Sequence, residues 1–375
     1  MSAIEESKKV DYQFYPTLVE DYEDDKMILS IIIDCYFNLE YVKESVESAL
    51  NQDCQNVEIM LIDNGSTDDV SSYLKKIYNE NKNTALLVYE ENQFDWKVDE
   101  LYVLVCWNAA LLRCKGEFVT HLSYDDKFSK NYASSMIKLF LDNPNCQTAA
   151  PLPISINKNG ETNPVDYLPS NNRSRYMIGK DLALDFIKGS PENFFQAPGE
   201  IFVIRKKLLL EYGGFDSGID LMQVLKYSIH GETGFDKNSH VYWRHHENQV
   251  NRILANSGYI WVSFMRQMIV DSNIIEIWKE NLGEEHTRLL KNWFKQKING
   301  MPVEYLVERL LWKDIPGYFK VLSRILKECP LLLPKAIFSS SKFVIVFSAK
   351  TLFKKIVNRG TIKNDKYDYK DSNFQ

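Results

Sequence analysis

The chain reads as an α/β protein with a mainly parallel central sheet, followed by a helical region. Three observations lead there. Short runs rich in Ile, Leu and Val at 27–34, 57–62, 85–89 and 117–122 have the length of strands buried on both faces. Between them, 39–51, 68–78 and 100–113 carry apolar residues at helical spacing. The alternation of the two patterns implies right-handed strand–helix–strand units, which build parallel sheets.

The first run, MILSIIID, is nearly all apolar, and the helix after it places Val42, Val46 and Leu50 on one face. The second run, VEIMLI, precedes the helix at 68–78, and the third and fourth runs flank the helix at 100–113. A helix at 131–141 then leads into 146–156, a strand-like stretch that Pro151 and Pro153 are expected to break. Residues 157–172 are turn-rich and read as a long loop, and a loop of that length in a compact domain is more often functional than idle. Regular structure resumes with a helix at 179–188, a strand at 200–204 and a short helix at 206–212. The turn Gly213-Gly214, a helix at 221–230 and a strand ending near Tyr242 follow. Beyond 251 the pattern is helical, with Trp261, Trp278, Trp293 and Trp312 and no convincing strand. The expected organisation is an acidic leader (1–26), an α/β domain (27–251), a helical region (252–328) and a basic amphipathic tail (329–375).

Composition narrows the function. With 375 residues, two domains are the natural prior. A formal net charge of −6 argues against a protein that grips nucleic acid by bulk electrostatics. The six cysteines are scattered without metal-site spacing, which fits a reducing, cytoplasmic location. The N-terminal stretch carries Glu20, Asp21, Glu23, Asp24 and Asp25 rather than the basic and apolar regions of a signal peptide. No uncharged apolar run reaches the roughly 18 residues of a membrane span. From 329 to 364 there is no acidic residue, while Lys335, Lys342, Lys350, Lys354, Lys355, Arg359 and Lys363 alternate with apolar side chains. Two readings fit that tail: a helix lying on an anionic membrane surface, which is preferred, or a helix packed on its own domain with a solvated Lys face.

Ligands of parallel sheets bind beyond the C-terminal ends of the strands. Those ends carry Asp34-Cys35-Tyr36-Phe37-Asn38, Asp63-Asn64-Gly65-Ser66-Thr67-Asp68-Asp69 and Ser123-Tyr124-Asp125-Asp126, and a later turn carries Gly214-Phe215-Asp216 through Asp220. Acidic tips converging on one crevice repel a phosphate unless Mg²⁺ or Mn²⁺ sits between them. Plainer readings stand beside this one. Residues 66–69 suit a helix cap, leaving Asp63 and Asn64 for binding. Asp125-Asp126 also fits a solvated turn, and Asp220, with Gln223 three residues on, fits the N-cap of a capping box.

The ordered set SIIIDCYFNLEYVKESVESALNQ, EIMLIDNGSTDD, CWNAALLRCKGEFVTHLSYDD and GEIFVIRKKLLLEYGGFD resembles the family 2 inverting glycosyltransferases of the GT-A fold, over about 27–250. That resemblance implies a Rossmann-like nucleotide-sugar-binding domain. Cys35 and Tyr36 then match the segment that packs against the nucleobase, and Asn64 the residue that accepts from it, through its amide carbonyl. Asp125 matches the ribose-side carboxylate and Asp126 the metal-side carboxylate, the usual upstream Asp being Ser123. His245 or, by preference, His246 approaches the metal or diphosphate. Asp220 matches the catalytic base, Glu200 the acceptor side, and Lys97 stands in for a basic residue otherwise missing from 91–107. Phe37 replaces a common Asn.

The expected activity is therefore a Mn²⁺- or Mg²⁺-dependent inverting transfer from a nucleotide sugar, UDP-linked by preference. The acceptor is a glycan or lipid-linked saccharide in surface polysaccharide synthesis, at the cytoplasmic face of a membrane. Two rivals stand beside it. A non-catalytic GT-A carbohydrate-binding or scaffold protein would keep the fold without the chemistry. A sugar-phosphate nucleotidyltransferase would want a Gly-rich basic loop after the first strand, and DCYFNLEY has none.

Overall fold

A computed structural model describes residues 3–18, 29–93, 101–162, 174–189, 202–215, 223–249, 273–311, 313–338 and 340. The chain divides into two compact units, Met1–His246 with Gln267–Lys291, and Glu247–Arg266 with Asn292–Gln375.

The first unit is built on a ten-stranded sheet. Its strands in chain order are β1 (Gln13–Tyr15), β2 (Leu29–Cys35), β3 (Val57–Asn64), β4 (Thr84–Tyr89), β5 (Phe118–Ser123), β6 (Lys127–Phe128), β7 (Cys146–Ile156), β8 (Tyr176–Ile178), β9 (Val203–Arg205) and β10 (Glu232–Arg244). Its helices are α1 (Ala3–Ser7), α2 (Leu39–Leu50), α3 (Asp68–Glu80), α4 (Leu101–Arg113), α5 (Tyr132–Asp142), α6 (Gly179–Lys188) and α7 (Lys206–Glu211). The strands lie in the order β1-β4-β3-β2-β5-β9-β7-β10-β6, with β8 also on β10. The centre is parallel: β4, β3, β2 and β5 run together, as do β7 and β10. Strand β9 is antiparallel between β5 and β7 and joins the two parallel halves.

The apolar runs explain this centre. Leu29, Ile31, Ile32, Ile33, Ile59, Met60, Leu61 and Ile62 are all fully buried, as strands covered by helices on both faces require. Helix α2 starts where Asn38 adopts a left-handed conformation (φ 65°) and its side chain accepts from Tyr41 N, and α2 buries Val42, Val46 and Ala49.

Four local expectations change. The 1–26 leader is not featureless: α1 lies against α4, and β1 forms an antiparallel edge on β4. Arg113 of α4 holds that edge, stacking over Phe14 at 5.3 Å and donating to Tyr12 Oη. The acidic cluster 20–25 lies outside the described residues. Pro151 and Pro153 do not break β7, because β9 pairs it only at Thr148 and Ala149. Both prolines fall where β10 is its neighbour among the described residues. The helix expected at 221–230 is a π turn (Gln223–Tyr227) followed by a 3-10 turn (Ser228–His230). The strand expected to end near Tyr242 runs on to Arg244, which places the following histidines.

In the first unit, Trp278 is buried and donates its indole N–H to Leu225 O at 2.6 Å. That residue belongs to helix α8 (Ile274–Leu311), which is interrupted at Gly283 with φ 81°. In the second unit, the last turns of α8 and α9 (Ile315–Glu328) enclose a small core of Leu306, Val321, Ile325, Cys329 and Ala336. Asp314 caps α9, accepting from Gly317 N at 2.9 Å and from Arg309 at 3.0 Å. The sequence boundary at 251/252 compares with a division after His246, with Gln267–Lys291 returning to the first unit.

Candidate active site

The parallel strands β2, β3 and β5 end together, so the residues after them share one edge of the sheet. Thr67 N donates to Tyr36 O and ties two of these tips. Across the tips runs a row of aromatic rings, with Tyr36 against Phe37 at 5.7 Å and Phe37 against Tyr124 at 5.2 Å. Tyr36 is exposed, as a surface for a flat ligand should be.

The tip of β5 is the acidic part. Burial first, then the charges of Asp125, Asp34 and Asp126, push the Tyr124 phenol well above its ordinary range, so three carboxylate charges are felt at this ring. Asp125 and Asp126 are both buried but do different things. Asp126 Oδ1 accepts from Arg244 N at 2.7 Å, fastening β10 to the tip. Asp125 Oδ2 lies 2.8 Å from His246 Nε2. The carboxylate beside the histidine is therefore Asp125, whereas the sequence reading gave that place to Asp126.

Arg244 is the organising residue that the sequence reading missed. Its side chain is fully buried and donates from Nε to Asp125 O at 2.7 Å, from Nη1 to Lys158 O at 3.1 Å and from Nη2 to Glu44 Oε2 at 2.8 Å. The guanidinium also lies over Tyr41 at 4.6 Å, and Tyr41 in turn contacts the His246 ring at 5.1 Å. Burial alone would raise the Glu44 pKa, but Lys127 and Arg244 outweigh it and hold that carboxylate below its ordinary range. The sequence signal was its place in W-R-H-H, one residue before the histidine pair.

The remaining expected site residues fall out differently. Cys35 is fully buried and its thiol lies toward Ile33 O, so strand alternation turns it into the core and away from a base. Asn64 is buried, and its amide oxygen accepts from Gln93 N at 2.9 Å and from the Cys106 thiol at 3.6 Å, so that acceptor is used internally. Asp63 Oδ1 is also engaged, accepting from Ser66 N and Ser66 Oγ. Thr67 is the N-cap of α3, but its hydroxyl donates to Asp69 rather than accepting from the helix. His245 packs against Trp243, with ring centroids 4.1 Å apart and planes tilted by 56°. Lys97, Glu200 and Asp220 lie outside the described residues. The segment that leads to Asp220 is nevertheless anchored. Asn108 of α4 donates from its amide to Phe215 O and accepts from Phe215 N, both at 2.8 Å, while Tyr227 Oη donates to Gly214 O.

Asp34, at the end of β2, belongs to one of the acidic tips that the sequence places at the crevice, where it has no role of its own. Its Oδ1 is enclosed and has no hydrogen-bond partner among the described residues. Burial pushes its pKa up to about 7; the Trp107 indole N–H opposes this and the Asp125 charge adds to it. Trp107 stacks on His121 at 4.2 Å, and burial drives the His121 pKa down to about 3.

Asp125 and His246 offer a carboxylate oxygen and an imidazole nitrogen within one contact, a donor set that suits a divalent cation completed by substrate phosphate. Among the described residues no third His, Cys, Asp or Glu joins them.

Residues 30–207 match the family model described as Glycosyl transferase family 2. Over residues 30–207, just under half of its length, the chain carries a family 2 glycosyltransferase domain. An uncharacterized glycosyltransferase of Haemophilus influenzae is 28% identical to it over 116 residues, 31% of this chain and 43% of the relative. The putative teichuronic acid biosynthesis glycosyltransferase TuaG of Bacillus subtilis is 26% identical over 117 residues, with the same two shares. The matched stretch thus spans less than half of either relative's length. The crystal structure of S. aureus TarS 1-349 in complex with UDP-GlcNAc superposes with a TM-score of 0.57 at 16% identity, covering 80% of this chain and 81% of that one. The glycosyltransferase domain has the GT-A fold, and its sheet edge with Tyr36, Asp125 and His246 is the C-terminal edge expected of that fold.

Proposed function

We propose that the protein is an inverting glycosyltransferase that moves a sugar from a nucleoside diphosphate sugar to a saccharide or lipid-linked acceptor. The observation that carries this reading is the Asp125–His246 contact at the C-terminal edge of the sheet, which joins the stretch matched by the family 2 model to the end of β10. The UDP-GlcNAc named with the TarS structure and the teichuronic acid biosynthesis named with TuaG favour a UDP-linked donor and a surface polymer as product.

In this mechanism Tyr36 receives the base on its exposed ring, and Arg244 holds the Asp125 backbone and the end of β10 so that Asp125 and His246 face each other. Those two residues would hold Mn²⁺ or Mg²⁺, which when bound neutralises the departing diphosphate. Asp220 takes the proton from the acceptor hydroxyl as its oxygen attacks the anomeric carbon, and the nucleoside diphosphate leaves from the opposite face, inverting the configuration. A thermal-shift screen of nucleotide sugars, each with and without Mn²⁺, followed by an assay of slow donor hydrolysis, tests the proposal. Stabilisation and hydrolysis with one donor class are expected. Absence of both for every donor would leave the carbohydrate-binding scaffold as the better reading.

A further inference from the structure

In the second unit, α9 has a wider apolar arc than its own core covers. Tyr318, Val321, Ile325 and then Cys329 face that core. Ile315, Phe319, Leu322 and Leu326 follow one another at i, i+4, i+7 and i+11, which makes a second apolar stripe beside the first. Of these, Ile315, Phe319 and Leu326 are 52%, 62% and 59% exposed. Past the helix, Leu331 is 93% and Phe338 71% exposed. Large apolar side chains grouped in this way mark an interaction surface rather than the scattered exposure of an ordinary monomer.

The charge beside the stripe identifies what it meets. Lys327 and Lys320 flank the exposed arc, about 80° and 100° round the helix from Phe319, and Arg324 lies further round. From 315 to 364 the sequence holds ten Lys and Arg and one acidic residue, Glu328, a net of +9. The rest of the chain, at −15, brings the whole to −6. Apolar side chains flanked by concentrated positive charge complement a surface that is apolar beneath and negative on top. A second copy of this chain would bring the same positive charge to the same face.

We propose that α9 lies in the headgroup region of an anionic phospholipid bilayer, with Ile315, Phe319, Leu326 and Leu331 inserted and Lys320 and Lys327 among the phosphates. Association is peripheral: among the described residues no helix is long and apolar enough to cross a membrane. This inference stands independently of the donor chemistry.

The test is cosedimentation of the full chain with vesicles of phosphatidylcholine alone, or of equal parts phosphatidylcholine and phosphatidylglycerol. Binding to the mixed vesicles, weak binding to the neutral ones and release by high salt are expected. The double variant Phe319→Glu with Leu326→Glu should bind the mixed vesicles about tenfold less well, because two inserting groups become anions. Both side chains are exposed, so slow donor hydrolysis and the melting temperature should not move. Lys320→Gln with Lys327→Gln should weaken binding without altering any apolar contact. Equal binding to both vesicle types, no binding, or unchanged binding of the Glu variant would overturn the proposal. So would a concentration-dependent dimer in sedimentation velocity that the Glu variant abolishes, which would make the face a subunit interface.

Discussion

His246 Nε2 meets Asp125 Oδ2 at 2.8 Å across 121 residues of sequence, and Arg244, two positions before the histidine, donates to the backbone carbonyl of that same aspartate. With the bond from Arg244 N to Asp126 Oδ1, the end of β10 and the tip of β5 are thus fixed against each other by two structural bonds and by a pair of groups with metal-binding chemistry. His246→Gln is expected to raise the Mn²⁺ concentration needed for half-maximal donor hydrolysis about ten- to a hundredfold while leaving the melting temperature of the ion-free protein nearly unchanged. A Mn²⁺ titration of hydrolysis in both proteins checks it; superimposable curves would remove His246 from the site.

Asp220→Asn should abolish transfer, by about 10²- to 10⁴-fold, with donor affinity nearly intact, since a general base acts on the acceptor. Isothermal titration with the donor, run beside the transfer assay, separates the two effects. A parallel loss of donor binding would show that Asp220 is structural.

Arg244→Met keeps bulk but leaves Asp125 O and Lys158 O without their donor. A loss of about 2–4 kcal/mol is expected from two stranded acceptors, together with a weaker response to Mn²⁺. Urea unfolding measures the first and thermal shift the second. Arg244→Lys should recover only part of either, because one ammonium cannot reach Asp125, Lys158 and Glu44 at once.

Asp34 and His121 set opposing pH dependences. The Asp34 pKa rises on folding from 3.8 to about 7, so the stability it contributes is complete below 3.8 and is lost as pH rises toward 7. The His121 pKa falls from 6.5 to about 3, so its contribution is complete above 6.5 and is lost as pH falls. Each slope is at most about 1.4 kcal/mol per pH unit, and over the shared window they largely cancel. Asp34→Asn should expose the histidine slope, with stability rising with pH. His121→Phe, which keeps the stack on Trp107, should expose the opposite one. Urea midpoints across that range decide the matter; identical profiles in all three proteins would refute it.

The central strands were legible because burial on both faces leaves little but Ile, Leu and Val in runs such as 29–33, and α2, α3 and α4 were legible from their spacing. What could not be read was set by distant neighbours. Pro151 and Pro153 look like breakers until the open side of β7 is known. Asp125 and Asp126 are adjacent and chemically alike, and only the approach of β10 decides which one meets His246 and which one is spent on Arg244 N. Cys35 and Asn64 sit in the right places along the chain, but one turns into the core and the other finds Gln93 and Cys106. Asp34 is legible as an acidic tip, but not as an enclosed carboxyl, because the Trp107 that opposes its raised pKa comes from α4.

The amide of Asn108 pairs with both backbone groups of Phe215, doing for one residue what a neighbouring strand does for several. A methyl group on Gly214 would fall 2.1 Å from the same Asn108 oxygen, so the approach is as close as glycine permits. The pin ties the turn at Phe215 to α4 through a single side chain. The loss of Asn108 would therefore strand two backbone groups of that turn at once, a cost that one side chain carries alone.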